Sequence, residues 1–224
     1  MPITQDDIFF ESEGNGWYQR NKSALANEVK QDEVMYLLEE YSLKPERVLE
    51  LGCSNGWRLA KIEQKYKSHC VGVEPSAEAV EQGTQSFPNI KLQRGLISAV
   101  PLHDTYDVVI VNFVLHWVGR ETLFTALTEI DRLVAEGGYL IIGDFLPDFP
   151  TTVPYHHLPQ EQVFTYKIDY PQIFTATRLY APVAMLTTKF DGGPLIANMP
   201  SNLRGGWTLL RKSSGEFAYN GLAR

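Results

Sequence analysis

Two carboxylates and two glycines stand where chemistry could be done. Glu50 lies inside the apolar run Val48-Leu49-Glu50-Leu51, and Glu74 closes the run Val71-Gly72-Val73-Glu74. A carboxylate in such a run is costly unless it meets donors or a cation. The first run leads into Gly52-Cys53-Ser54-Asn55-Gly56. Glycine at 52 and 56 lets the backbone pass close to a ligand, because no Cβ stands in the way. Glu74 follows Gly52 by about 20 residues, the separation at which a strand-end acid grips the hydroxyls of a ribose.

Strands and helices must hold these residues in place. The run through Leu51, between Pro45 and Gly52, predicts a short buried strand. Leu59, Ile62 and Tyr66 then recur at helical spacing. Residues 69–74 predict a second strand, Ser76 caps a helix running toward Gln85, and residues 90–93 predict a third strand. The Val/Ile run from Tyr106 to Asn112 has the composition of a central parallel strand covered on both faces. Leu123, Leu127, Ile130, Leu133 and Val134 make a helix ended by Glu136-Gly137-Gly138, and residues 139–144 make a fifth strand. Alternation of strand and helix predicts an α/β doubly wound parallel sheet.

Glu50-Leu51-Gly52-Cys53-Ser54-Asn55-Gly56, with Gly72-Val73-Glu74-Pro75-Ser76 behind it, resembles the first and second cofactor motifs of class I S-adenosylmethionine-dependent methyltransferases. Ser54 stands where that pattern has its middle glycine. The resemblance covers roughly residues 40–145. It implies a Rossmann-like seven-stranded sheet, mostly parallel, closed by a C-terminal antiparallel hairpin. The cofactor would be S-adenosyl-L-methionine, leaving as S-adenosyl-L-homocysteine. Glu50, Gly52, Cys53, Ser54, Asn55, Gly56, Glu74 and Pro75 would meet it. Leu96 and Ile97 would lie beside its adenine, and Asn112, Phe113 and Val114 would line the pocket at the strand end.

Asp107 through Leu115-His116-Trp117 resembles the small-molecule branch of that family, the type that methylates quinones, malonyl thioesters and trans-aconitate. His116 would then lie near the transferred methyl, as a candidate base. The length predicts one domain over residues 1–224. Residues 1–42 would be a helical lid, 43–145 the cofactor core, and 146–224 a substrate loop and the hairpin.

The ends of the chain read less clearly. Residues 5–16 show no period and predict an irregular lead-in. Helical periodicity begins near Trp17 and continues through Leu25, Val29, Val34, Leu37 and Leu38. Tyr18 and Arg20 would face the cofactor, with the arginine fork on its carboxylate. Gly14 and Gly16 would form a flexible joint. After Leu146, four prolines punctuate a loop with Tyr155-His156-His157; residues 163–168 alternate like a strand, a short helix starts near Asp169, and residues 182–190 and 206–212 predict the final pair. Trp17, Trp117, Tyr155, His156 and His157 are the candidate acceptor contacts. Two adjacent histidines without further ligands do not make a metal site.

Composition narrows the classes. A net charge of −7 over 224 residues argues against a broad nucleic-acid surface. Cys53 and Cys70 predict reduced thiols in a cytoplasmic protein. No apolar run is long enough to span a bilayer, and the polar start does not resemble a signal peptide. The expected function is methyl transfer to a small molecule, such as a sugar or a secondary-metabolite precursor. One alternative is an NAD(P)-dependent Rossmann oxidoreductase. Its G-x-G-x-x-G pattern read from Gly52 would place Ser54 and Trp57 at glycine positions. The other is a non-catalytic binding subunit that keeps the fold.

Overall fold

The computed structural model describes residues 3–26, 32–190 and 199–213. Val29 lies outside them. Its main sheet has seven strands: β1 (Arg47–Leu51), β2 (His69–Glu74), β3 (Lys91–Arg94), β4 (Tyr106–Asn112), β5 (Val134–Phe145), β8 (Tyr180–Lys189) and β9 (Arg204–Lys212). They run in the order β3-β2-β1-β4-β5-β9-β8. The first five are parallel, and β9 lies antiparallel to both β5 and β8. This is the expected doubly wound sheet with its antiparallel hairpin at one edge.

Strand alternation sorts the core into two layers. Leu49, Leu51, Val109, Val111, Leu140 and Ile142 pack with helix α6 (Leu123–Leu133). Val48, Ile110 and Ile141 pack with α3 (Glu33–Glu40) and α4 (Trp57–Tyr66). Glu50 shares the parity of Val48, so its side chain falls on the α3 and α4 side. There it meets Arg58 of α4, and Arg58 Nε reaches Asp32, the cap of α3, at 2.9 Å. The carboxylate in the apolar run thus has its cation.

Val134, read as the end of a helix, opens β5 instead, and two longer segments differ from the sequence expectation. Residues 5–16 are helical, not irregular. They form α1 (Gln5–Ile8), a π-helical turn over Phe9–Glu13, and the start of α2 (Gly14–Ala26). Thr4 and Asp7 close a capping box at the first turn. The segment lacks an apolar period because polar side chains anchor it. Gln5 Nε2 donates to the carbonyls of Trp117 and Phe164, and Asp6 accepts from the Gly119 amide and the Ser98 hydroxyl. Gly14 has helical angles (φ −55°) rather than those of a joint, and a Cβ there would lie 3.2 Å from the Ser76 nitrogen. The glycine lets α2 approach the loop after β2.

The second difference follows Leu146. Residues of β6 (Thr151–Pro154), read as loop, pair antiparallel with β7 (Phe164–Lys167) in a separate ribbon. Pro154 ends its strand, where a missing amide is tolerated. Among the described residues, no helix is long and apolar enough to cross a membrane.

Candidate functional site

The C-terminal ends of β1, β2 and β4 open on one cavity of ≈ 240 Å³, roofed by the N-terminal helices. Such a crevice is where open α/β sheets take ligands. Glu50, Gly52, Cys53, Ser54, Glu74, Pro75, Leu96, Ile97, Asn112, Phe113 and Val114 line it, and so do Trp17 and Trp117. Asp6, Phe9, Trp57 and Arg58 also line it and were not anticipated. Trp57 and Arg58 follow the glycine motif directly, which was a usable signal. Asp6 and Phe9 had none, because their segment looked irregular.

The turn after β1 is built from left-handed backbone. Gly52, Ser54 and Gly56 have φ of 73°, 51° and 75°. A Cβ on Gly52 would stand 2.2 Å from a methyl carbon of Val114, so the residue is fixed by crowding as well as by its angles. The turn also aims the Ser54 amide at Glu74. Oε2 of Glu74 accepts from that amide at 2.8 Å, and Oε1 accepts from the Ser76 amide at 2.9 Å. Burial pushes the Glu74 carboxyl up to about 7, against the pull of those two amides.

Glu50 is likewise pushed up to about 7 by burial, with Arg58 opposing. Its Oε1 is held by Arg58, while Oε2 is sealed from solvent without a partner. Ser54 Oγ is in the same condition. Two such atoms on one cavity wall are costly, and a polar ligand would satisfy both.

An aromatic cluster also lines the cavity. Phe9 stacks on Trp117 with centroids 5.4 Å apart, and Trp17 meets Trp117 edge-on at 6.2 Å. Tyr155 packs behind both Phe9 and Trp117 without lining the cavity. At the end of β4, Asn112 accepts a 2.8 Å hydrogen bond from Trp207 Nε1 of β9.

The remaining candidates lie outside the cavity wall. Tyr18 donates to Gln82 at 3.0 Å, and the Asn55 amide donates to the same oxygen. Gly56 caps α4. Arg20 pairs with the buried Glu13, and Tyr155 donates to that carboxylate at 2.7 Å. Arg20, Glu13 and Tyr155 thereby tie α2 and the π-helical turn to the β6–β7 ribbon. His156 and His157 lie at the surface with ring centroids 3.9 Å apart. No group of three or more potential metal ligands occurs among the described residues.

His116 is buried in a short 3-10 turn, Leu115–Trp117. Its Nδ1 lies 2.9 Å from Asp144 Oδ1, and its amide donates to Oδ2 at 3.2 Å. Asp144, on β5, appeared in the sequence only as a strand end.

Residues 49–142 match the methyltransferase domain family. The chain is 23% identical to a malonyl-[acyl-carrier protein] O-methyltransferase of Halalkalibacterium halodurans, over 47% of this chain and 41% of the relative. It is 25% identical to an indolepyruvate C-methyltransferase of Streptomyces griseus, over 69% and 47%. The matches thus span about half or less of these curated relatives. Among solved structures it is similar to a 1,6-didemethyltoxoflavin-N1-methyltransferase of Burkholderia thailandensis with bound S-adenosylhomocysteine. That likeness has a TM-score of 0.70 at 16% identity, covering 90% of this chain and 86% of the other. Its matched segment carries a methyltransferase domain, and its sheet has the fold of a solved methyltransferase with bound S-adenosylhomocysteine.

Proposed function

We propose that this chain transfers a methyl group from S-adenosylmethionine to a small-molecule acceptor. The observation that carries the reading is the Glu74 carboxylate. It is fixed by two backbone amides at the edge of a cavity whose lining residues also carry two unpartnered polar atoms. Each carboxylate oxygen keeps a lone pair after those amides. A ribose diol offers two hydroxyl donors at matching separation. Leu96 and Ile97 supply apolar faces for a base beyond the ribose, and the free Oε2 of Glu50 is an acceptor for an ammonium group.

When bound, S-adenosylmethionine supplies a sulfonium methyl that is already electrophilic. The chain's own residues therefore chiefly hold the acceptor in line and exclude water. Phe9, Trp17 and Trp117 are suited to both tasks. Their faces favour a flat or ring-bearing acceptor, which agrees with a sugar or a secondary-metabolite precursor. The names of the three relatives span oxygen, carbon and nitrogen acceptors, so likeness does not choose the acceptor atom.

Calorimetry with S-adenosylhomocysteine and with NAD tests the reading. Binding of the first and not the second is expected. The reverse would replace methyl transfer by oxidoreductase chemistry. Cofactor binding without transfer to any member of a broad metabolite panel would favour a binding subunit.

A further inference from the structure

Among the described residues, three carboxylates line the cavity: Asp6, Glu50 and Glu74. The proposed function uses two of them, Glu74 for a ribose and Glu50 for an ammonium group. Asp6 is left over. It comes from α1, outside the sheet, and is buried all the same. Its Oδ1 accepts from the Gly119 amide at 2.9 Å, and its Oδ2 accepts from the Ser98 hydroxyl at 2.6 Å. These two contacts hold the carboxylate in a fixed place. Each oxygen keeps a lone pair after them.

The same contacts place the carboxylate within the cavity. Ser98 belongs to the tight turn after β3, in which the Ala99 amide donates to the Leu96 carbonyl at 3.1 Å. Leu96 and Ile97 of that turn line the cavity, and so does Val118, the neighbour of Gly119. Ile97 and Val118 belong to one apolar layer. Asp6 is thus pinned where the surrounding side chains have no hydrogen-bonding atom of their own. The sheet supplies the direction. Strands β1, β2 and β3 lie side by side in that order. Glu50 is on β1, Glu74 ends β2, and Asp6 is fastened to the turn after β3. S-adenosylmethionine presents its donors in the same sequence: the ammonium, the ribose hydroxyls, then the exocyclic amine of adenine. Three acceptors in a row match three donors in a row.

We propose that Asp6 reads the base, accepting a hydrogen bond from the exocyclic amine of adenine. The proposal rests on the methyl-transfer reading above. The side chains of Leu96, Ile97 and Val118 bury the faces of a base but cannot tell an amine from a hydrogen atom at the same position. A carboxylate can, because a hydrogen bond to a charged acceptor is stronger than one between neutral groups. Without it, the amine would lose its water on entering the cavity and gain nothing in return from these side chains. Base recognition is then shared between the sheet and the N-terminal segment. The side chain that fastens α1 to Ser98 and Gly119 is the one that meets the ligand. A ligand lacking the amine would fill the cavity and leave α1 with one contact fewer.

Two measurements test this. The first is calorimetry with S-adenosylhomocysteine and with its deamino analogue, which has hydrogen in place of the exocyclic amine. The wild-type protein should bind S-adenosylhomocysteine about 10–100-fold more tightly than the analogue. Asp6→Asn keeps the size of the side chain and can still meet Gly119 and Ser98, but it removes the charge. It should weaken S-adenosylhomocysteine more than the analogue, so that the ratio of the two affinities falls. A side chain that only anchors α1 would weaken both ligands alike. An unchanged ratio in the variant therefore overturns the proposal, and so does a wild-type protein that binds the two ligands equally. The second measurement needs no variant. With either ligand at saturation, proteolysis within residues 5–26 should be slower under S-adenosylhomocysteine than under the analogue, and equal rates overturn the proposal. Failure of the wild-type protein to bind either ligand would sink the methyl-transfer reading itself, an outcome distinct from binding both equally.

Discussion

The backbone amide of Ser54 donates to the carboxylate of Glu74 at 2.8 Å, so the glycine turn after β1 and the acid at the end of β2 are one unit. Replacing the acid therefore disturbs both a ligand contact and the turn. Glu74→Gln should weaken S-adenosylhomocysteine binding by about 1.5–3 kcal/mol, the range for hydrogen bonds to a charged group. Calorimetry on the variant checks it, and an unchanged affinity removes Glu74 from the ribose role.

The pH dependence follows from the same group. Glu74 and Glu50 titrate near 7 in the free protein, raised from 4.5 by burial. The folded state then binds more protons than the unfolded chain between about 4.5 and 7, so these groups cost stability as pH rises through that window. Hydroxyl and ammonium donors favour the ionised carboxylates. Cofactor binding near pH 7 should release protons, and affinity should rise with pH up to about 7. Calorimetry in buffers of different ionisation heat reads the release, which should shrink in Glu74→Gln. Proton uptake on binding would contradict the assignment.

Gly52→Ala places a methyl group against Val114 in left-handed backbone. A loss of about 1–3 kcal/mol in stability is expected from the backbone angle, with a further loss of cofactor affinity. Thermal unfolding measures the first. Pairing the change with Val114→Ala should recover part of the loss, because the clash goes while the angle remains.

Arg58 holds two buried carboxylates, Asp32 and Glu50. Arg58→Leu should destabilise by about 3–5 kcal/mol at pH 7.5, the cost of stranding buried charge. The deficit should narrow at pH 5.5, where Glu50 takes up a proton. Urea melts at the two pH values decide, and an equal deficit at both would show that Glu50 does not titrate as assigned.

The N-terminal helical segment is tied down by Tyr155, whose hydroxyl donates to Glu13. Tyr155→Phe leaves that buried carboxylate short of a donor. Proteolysis within residues 5–26 should become faster while the core strands stay protected, and added S-adenosylhomocysteine should slow it again. Unchanged cleavage would reduce the contact to packing.

The parallel strands were legible because continuous Val/Ile runs have few alternatives. Glu50 and Glu74 stood out because a charge inside such a run calls for a partner. Gln5 and Asp6 were invisible as anchors, since buried polar residues lack a period and their partners lie more than 90 residues away. Asp144 was hidden for another reason: its role depends on His116 arriving from the neighbouring strand. Tyr155 and Lys167 lie where prolines and alternation suggested a loop and one strand, and pairing with β6 could not be read from composition.

Strand β9 enters the sheet between β5 and β8, and its Trp207 braces Asn112 from 95 residues away. Closing a loop of that length costs entropy before the contact repays it, so this contact is expected to form late. The cofactor motifs thus fold early, while the wall that faces the acceptor stays unbraced until the antiparallel strand docks. In a refolding experiment, competence to bind S-adenosylhomocysteine should precede the burial of Trp207 in time. Assembly, on this account, runs from the adenosine end of the pocket to the methyl end.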